Sequence, residues 1–444
     1  MRVAIVTESF LPTANGVTTS VCRILECLRA AGHEALVVAP RPAPLSYAGH
    51  RVHAVASVPV RQFPVGLPSG EIEEVLAGFR PDVVHLASPF VLGARGAAAA
   101  QRLGLPAVAV YQTDMPSYLA QHGRGAVGRG AARAAWGWVR RLHAMADLTL
   151  APSSAALDDL TRNGVPRTAL WGRGVDTALF HPRFREDAGA RALRRTLAPE
   201  GETLLGYVGR LAPEKELGRL AELAAVPRSR LVLVGDGPCR AEVGAVLAEA
   251  VARAPGRPNR APVFLGRRDG DDLARAYAAM DVFVHTGTRE TFGQTLQEAA
   301  ASGLPVVAPA RGGPLDLVQD AVTGYLFDPD LPGALRDAVT ALAENPAART
   351  AMGAAGLAGV GGRSWESVVD QLLGHYASVV ATRPPRGLTG PPRRCYAAYR
   401  RVTEPVCFLT AAPRGGPWGG PIIWPTNYGH CLPSRERVAV TSSA

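Results

Sequence analysis

Short uninterrupted apolar runs alternate with longer amphipathic stretches along most of the chain. In the first half, the apolar runs at 3–7 and 35–39 flank an amphipathic stretch at 17–31 that predicts a helix. Further apolar runs follow at 83–87, 107–111 and 148–151. Strands that are buried on both faces and joined by helices are typical of parallel sheets. The pattern therefore predicts a doubly wound α/β domain.

The same alternation starts again in the second half, at 204–208, 231–234, 263–265, 282–285 and 306–308. Two similar domains imply a cleft between them, and open α/β sheets bind ligands where strands end and helices begin. The expected organisation is an N-terminal domain at 1–182, a polar irregular linker at 183–202, a C-terminal domain at 203–362, a helix at 363–380 packing back toward the first domain, and a disordered tail at 381–444 rich in arginine, proline and glycine.

Charge and cysteine content exclude several classes of protein. The net charge is +10, but the tail at 381–444 holds nine arginines against two glutamates, and the main body shows no basic stripe with stacking aromatics. No specific nucleic-acid partner is therefore expected. The six cysteines lack zinc-ligand spacing and indicate neither a metal nor disulfides. With no membrane-spanning run and no signal peptide, a cytoplasmic protein is expected; the oligomeric state stays open.

Lys215 is the single lysine among 48 basic residues. An ammonium group is a compact charge that suits a phosphate oxygen in a confined pocket, whereas a guanidinium suits flat bidentate recognition. Because Arg210 lies at the preceding strand end and Lys215 at the expected start of the next helix, the pair is suited to holding a diphosphate from two sides. The alternative is chance retention in an arginine-biased composition.

Three other loops carry candidate chemistry. Gly16 opens the first predicted helix, where an anion is favoured, although an ordinary turn would also use glycine. Glu290 is expected in a loop and Glu298 about two turns into the next helix, a carboxylate pair suited to hydroxyl groups. Asp269-Gly270-Asp271-Asp272 resembles a metal-binding motif, but it stands at a helix start, where acidic residues complement the helix dipole. No metal is expected.

Together these motifs resemble the retaining, nucleotide-sugar-dependent glycosyltransferases of family 4, which have the two-domain GT-B fold. The resemblance spans about residues 1–380 and is strongest in GRLAPEKEL at 209–217 and ETFGQTLQEAAASGLPVVAP at 290–309, which contains the family's E-x7-E spacing. Supporting motifs are ANGV at 14–17, RGVD at 173–176, VGDGP at 234–238 and DVFVHTGT at 281–288. The resemblance implies a hexosyltransferase that needs no cofactor beyond its nucleotide-sugar co-substrate.

The resemblance also implies roles for individual residues. Arg210 and Lys215 would neutralise the donor diphosphate and the leaving group, and Glu298 would accept hydrogen bonds from the ribose. Gly16 would let the first domain's backbone approach the diphosphate when the cleft closes. The donor sugar would contact the Glu290 side chain and the backbone of Phe292, Gly293 and Gln294.

Asp114 stands where many relatives carry a histidine near the reacting sugar. It would hydrogen-bond the sugar or take up the acceptor proton. The alternative is an aspartate that caps a turn at a strand end.

A predicted helix near 129–145 bears on the acceptor. It places Arg129, Arg133, Trp136 and Arg140 on one face, which is typical of peripheral contact with an anionic membrane and suits a lipid acceptor. The alternative is a helix that buries an ordinary apolar face.

The motifs YQTDMP and ETFGQTLQE are most similar to those of actinobacterial α-mannosyltransferases that use GDP-mannose. This similarity predicts mannosyl transfer to a membrane glycolipid or phosphatidylinositol-type acceptor, at the inner face of the plasma membrane. The open alternatives are donors such as UDP-glucose, UDP-galactose or UDP-sulfoquinovose, and a noncatalytic protein that binds nucleotide sugars or polyanions. A phosphorylase of the same architecture is disfavoured because no separate lysine motif for pyridoxal phosphate is present.

Overall fold

The protein is described from a computed structural model. The described residues are 1–13, 15–60, 63–67, 70–88, 90–114, 116, 125–254 and 261–382. The tail predicted at 381–444 lies outside them from residue 383 onward.

The first half forms an eight-stranded sheet in the order β10-β9-β8-β7-β1-β2-β4-β3, parallel except for β3. Successive residues of β1 point to opposite faces, so that Val3 and Ile5 join one core and Ala4 and Val6 join the other. The strands of this half are β1 Arg2–Val6, β2 Glu34–Pro40, β3 Ser46–Tyr47, β4 His50–Val55, β7 Val83–Leu86, β8 Ala107–Val110, β9 Leu148–Ala151 and β10 Thr168–Leu170, with β5 Ser57–Val60 and β6 Phe63–Gly66 as a separate hairpin.

Helices cover both faces of this sheet, as burial of the strands on both faces requires. They are α1 Gly16–Ala30, α2 Glu71–Phe79, α3 Val91–Arg102, α4 Gly125–His143 and α5 Ser154–Arg162. Helix α1 packs in one core, and α2 and α3 pack in the other.

The second half forms a six-stranded parallel sheet in the order β13-β12-β11-β14-β15-β16. Its strands are β11 Thr203–Val208, β12 Ser229–Val234, β13 Val263–Gly266, β14 Val282–Val284, β15 Val306–Pro309 and β16 Gly324–Phe327. Its helices are α7 Arg240–Arg253, α8 Gly270–Ala279, α9 Gln294–Ala301, α10 Pro314–Leu317, α11 Ala334–Ala343 and α12 Pro346–Val360. Every strand predicted from an apolar run is confirmed.

The composition of 183–202 predicts an irregular linker, but the structure contains a regular helix in this segment. Helix α6, Ala188–Leu197, begins after Asp187, whose side chain accepts hydrogen bonds from the amides of Gly189 and Ala190. Ala190 and Leu197 are buried in the core of the second half. Because the same helix carries three arginines, its narrow apolar face is difficult to recognise from the sequence.

The chain crosses between the halves twice, and the two crossings lie side by side. Val175 donates a backbone hydrogen bond of 2.9 Å to the carbonyl oxygen of Arg363. A Cβ atom on Gly174 would lie 2.6 Å from Trp365 Cα, so glycine permits this close approach. After the second crossing, helix α13, Trp365–Thr382, packs on the first sheet, where the Tyr376 hydroxyl lies 2.7 Å from Nδ1 of His85.

Candidate active site

The turn at 209–211 follows β11 and is held by the loop after β12. Gly209 donates to the Val234 carbonyl at 3.0 Å, and Leu211 donates to the Asp236 carbonyl at 3.0 Å. A Cβ atom on Gly235 would lie 1.9 Å from the carbonyl oxygen of Gly209. The VGDGP motif therefore supports the GRL turn through backbone contacts that need glycine.

Lys215 does not start a regular helix, contrary to the prediction. It is the last residue of a short 3-10 helix, Pro213–Lys215, and Glu216 follows in the left-handed region at φ 50°. The Thr286 hydroxyl, just beyond β14, donates to the Lys215 carbonyl at 2.7 Å. The DVFVHTGT motif thus fixes the backbone from which the lysine side chain extends.

The Lys215 ammonium and the Glu290 carboxylate form an ion pair, with Nζ 2.5 Å from Oε2. Their side chains are only 23% and 18% exposed. Burial alone would raise the pKa of Glu290, but the Lys215 ammonium, together with contributions from His285 and Arg173, outweighs this effect and the pKa falls to about 2. Glu290 is therefore a carboxylate at every physiological pH.

His285 lies next to this ion pair, with Nε2 3.7 Å from Glu290 Oε2. The imidazole is fully enclosed, and burial lowers its pKa to about 4. Neither ring nitrogen has a hydrogen-bond partner among the described residues. Because its pKa is about 4, the His285 imidazole is neutral at physiological pH and lies beside the ion pair.

Two glycines shape the loop that carries Glu290. The Gly313 amide donates to the Glu290 carbonyl at 2.7 Å, and a Cβ atom on Gly312 would lie 2.8 Å from the same oxygen. Phe292, in the same loop, is buried, and a Cβ atom on Gly313 would lie 2.2 Å from its carbonyl oxygen. The glycine-rich turn before α10 thus sets the path of the Glu290 loop.

Glu298 lies about one turn into α9, not two as predicted, because α9 begins at Gln294 after Gly293 at φ 106°. The Tyr277 hydroxyl donates to Glu298 Oε2 at 2.8 Å. Burial raises the pKa of Glu298 to about 7, against the lowering effect of Tyr277 and Gln294. The two carboxylates of the E-x7-E motif therefore differ in protonation near neutral pH.

Helix α9 is also joined to the first crossing segment. Gln294 Nε2 donates to the Gly174 carbonyl at 3.0 Å, and Gln297 Nε2 donates to the Arg173 carbonyl at 2.9 Å. The helix that carries Glu298 is thereby fixed to the connection between the halves.

Arg210 has a different carboxylate partner from Lys215. Its guanidinium lies 2.6 Å from Glu214 Oε1, and 46% of its side chain is exposed. Both predicted cations are thus paired with carboxylates of their own half in this structure.

On the first half's side, Gly16 begins α1, as predicted, and Asn15 Oδ1 caps the helix by accepting from Val17 and Thr18. The Arg173 guanidinium lies directly against Gly16, so that a Cβ atom there would be 2.8 Å from its Nη1. Arg173 Nη2 donates to Gln112 Oε1 at 2.8 Å. Arg173 belongs to the RGVD motif, but the sequence alone does not indicate that its side chain reaches Gly16.

Asp114 accepts a hydrogen bond of 3.2 Å from the buried Tyr111 hydroxyl. Gln112, in the same segment, is the residue that reaches Arg173. The Asp114 segment is thereby connected to Arg173, which in turn lies near enough to Glu290 to lower the pKa of that carboxyl.

Helix α4 differs from the predicted amphipathic arrangement. Trp136 is half-buried and stacks on Tyr111, with ring centroids 6.1 Å apart, so its ring packs inward from the edge of the arginine face. Arg133, Arg140 and Arg141 are exposed, while the Arg129 side chain lies outside the description. The exposed positions described on this face are therefore basic. Over the described ranges, no helix has the length and apolar character to cross a bilayer.

The acidic run at 269–272 lies at a helix start, as predicted. Asp269 is the N-cap of α8, and Asp272 pairs with Arg275 at 3.0 Å. Within the described part of the chain, no three histidine, cysteine or acidic side chains are grouped as metal ligands.

The chain matches known proteins across both halves. The model for Glycosyltransferase Family 4 matches residues 14–179, and that for Glycosyl transferases group 1 matches 191–358. A "GDP-mannose-dependent alpha-mannosyltransferase" of Mycolicibacterium smegmatis is 48% identical over 393 residues, which cover 86% of this chain and 99% of that protein. A protein of the same name from Corynebacterium glutamicum is 41% identical, with coverage of 86% and 90%.

A solved structure supports the fold. Anabaena HepE in complex with UDP-glucose superposes with a TM-score of 0.67 at 21% identity, covering 85% of this chain and 100% of that one. The predicted GT-B fold of two Rossmann-like domains is confirmed. The chain belongs to the family 4 glycosyltransferases.

Proposed function

We propose that the protein transfers an α-mannosyl group from GDP-mannose, with retention of anomeric configuration, to a lipid-linked acceptor. The Lys215–Glu290 pair carries the proposal, because a cation and a permanent carboxylate lie side by side at partly buried positions. The similarity to GDP-mannose-dependent enzymes supports the choice of donor.

Each partner of the pair suits one part of the donor. The Glu290 carboxylate accepts hydrogen bonds from mannose hydroxyls, and the Lys215 ammonium stabilises charge on the departing diphosphate. Arg210 supplies a second cation once its guanidinium turns from Glu214 toward the phosphates. The backbone of Phe292, Gly293 and Gln294 completes the sugar site.

Retention follows from attack on the face from which GDP leaves. The bond between the anomeric carbon and the diphosphate oxygen breaks as the acceptor oxygen bonds to that carbon, and a phosphate oxygen takes up the acceptor proton. Glu290 is held by Lys215 and supplies recognition, not a covalent intermediate. Asp114 stays a proposed hydrogen-bond partner of the sugar or acceptor.

Donor choice is tested by binding and hydrolysis of GDP-mannose, UDP-glucose, UDP-galactose and UDP-glucuronate, with and without EDTA. Selective turnover of GDP-mannose that EDTA leaves unchanged is the expected result. Preference for a UDP sugar would replace the donor assignment, and binding of none would favour a noncatalytic role.

Nucleotide affinity is expected to depend on pH through Glu298. The folded-state pKa of about 7 lies above the ordinary value of 4.5, so the free protein is stabilised by the protonated form, and this stability is lost as pH rises through 7. Ribose hydroxyls donate to the carboxylate form, so GDP affinity should fall as pH drops from 8 to about 6. Calorimetry on wild type and Glu298→Gln checks this, because the variant corrects for titration of the nucleotide. A wild-type pH slope equal to that of Glu298→Gln would contradict the role.

The acceptor proposal rests on the exposed arginines of α4. Replacing Arg133, Arg140 and Arg141 by serine should reduce binding to vesicles containing anionic lipid, and added salt should reduce wild-type binding. The matched control replaces three exposed arginines of the second half, Arg191, Arg195 and Arg253, and should leave vesicle binding near the wild-type level. Equal losses in both triple variants would indicate net charge alone and not a docking face.

A further inference from the structure

Arg173 occupies the point where the two halves meet. It lies in the first crossing segment, and its carbonyl accepts from Gln297 of α9. Its guanidinium extends toward the first half, where it contacts Gln112 and Gly16. The backbone is thus fixed by the donor side of the cleft, and the side chain reaches the opposite side.

The Arg173 guanidinium differs from the other two cations in its direct partners. Lys215 and Arg210 each have a carboxylate within 2.6 Å. For Arg173, by contrast, the described residues supply no carboxylate within ion-pair distance, and its hydrogen-bond partner is the neutral amide of Gln112. Its Nε is buried without a partner among the same residues. Burial lowers the pKa of Arg173 to about 10, and nearby Glu290 opposes that shift, so the group remains a cation. A partly buried cation that no carboxylate contacts directly is costly, and such a position favours an anionic ligand.

A second source of positive potential converges on the same place. Gly16 is the first residue of the 15-residue helix α1, whose N-terminus carries a partial positive charge. Glycine leaves the room that the guanidinium occupies, since a Cβ atom would be 2.8 Å from Nη1.

We propose that Arg173 is a third cation of the donor diphosphate site, contributed from the crossing segment, and that residue 16 is glycine in order to admit its guanidinium. The inference rests on the proposed use of a nucleoside diphosphate sugar. It assigns Gly16 an indirect role, through Arg173, in place of the direct backbone contact that the family resemblance implies.

The test measures the affinities of GDP and guanosine by calorimetry or competition for wild type, Arg173→Gln and Arg173→Lys. The Gln variant should lose at least about tenfold in GDP affinity, with little change for guanosine, and the Lys variant should lose less. Arg23→Gln is the matched control, because Arg23 pairs with Asp176 of the same segment at 2.9 Å but projects from α1 two turns beyond Gly16. Its GDP affinity should stay within about twofold of wild type.

Equal losses for GDP and guanosine in Arg173→Gln would overturn the inference and assign the arginine a purely structural role. Unchanged GDP affinity in Arg173→Gln would also overturn the inference. The same measurements with UDP and uridine distinguish failure of the proposed Arg173 contact from failure of the GDP-mannose assignment. A protein that prefers UDP refutes the GDP assignment, while selective loss of UDP affinity in Arg173→Gln still supports the diphosphate contact.

Gly16→Ala tests the second half of the proposal. The added methyl should displace the guanidinium and weaken GDP binding, and Gly16→Ala combined with Arg173→Gln should bind GDP no more weakly than Arg173→Gln alone. Additive losses would show that Gly16 makes its own contact with the diphosphate.

Discussion

Lys215→Ala is expected to lower the turnover of mannosyl transfer by at least tenfold, which corresponds to about 1.4 kcal/mol of transition-state stabilisation. The variant removes the ammonium that we propose stabilises the leaving diphosphate, and it also leaves the Glu290 carboxylate without its partner 2.5 Å away. The measurement is kcat and KM for GDP-mannose, together with the melting temperature to separate catalysis from folding.

Two further variants sharpen this result. Lys215→Arg should restore activity only in part, because a planar guanidinium does not reproduce a compact charge in a confined pocket. Arg219→Ala is the control, since Arg219 pairs with Glu216 at 2.9 Å in the adjoining 3-10 segment but lies outside the proposed site. Full activity in Lys215→Arg would refute the compact-charge argument, and wild-type turnover in Lys215→Ala would remove the lysine from catalysis.

The positions of the strands can be predicted from the sequence for a physical reason. Parallel strands buried on both faces need continuous apolar runs, so β11 and β12 are visible as 204–208 and 231–234 without any structural information. Helix α6 was missed because it buries only a narrow face, including Ala190 and Leu197, and is otherwise polar. The inward packing of the Trp136 ring is not predicted, because helical spacing does not reveal that Tyr111 offers it a stacking partner.

The motifs predict a candidate site, but they do not reveal which side chains meet within it. The pairing of Lys215 with Glu290 joins residues 75 positions apart, and it depends on β11 and β14 being neighbours in the sheet. The position of Arg173 depends in addition on the crossing segment, because its guanidinium contacts Gly16 of α1 and its carbonyl accepts from Gln297 of the second half. The backbone contacts of Gly235 and Gly313 likewise explain two glycine motifs that sequence spacing left without a mechanism.

Glu290→Gln is expected to reduce turnover by roughly a hundredfold, comparable to the loss of one preorganised electrostatic contact in an enclosed site. The amide keeps the shape of the side chain, but it is a weaker acceptor for sugar hydroxyls and leaves Lys215 without a counter-charge. Because Lys215 and Glu290 form one ion pair, Lys215→Ala combined with Glu290→Gln should lose less activity than the two single losses multiplied. Multiplicative losses would show that the two residues act independently.

The same variant has a defined pH signature in stability. The folded-state pKa of Glu290, about 2, lies below its ordinary value of 4.5, so its ionisation stabilises the fold above pH 4.5, and this contribution is lost as pH falls toward 2. The melting temperature of Glu290→Gln should therefore lie below that of wild type by a constant amount at neutral pH, with the gap closing only in acid. Glu214→Gln, which breaks the more exposed Arg210 pair, should show a much smaller gap and retain most of the turnover. If Glu214→Gln proved as damaging as Glu290→Gln, the special role of the carboxylate beside Lys215 would have to be abandoned.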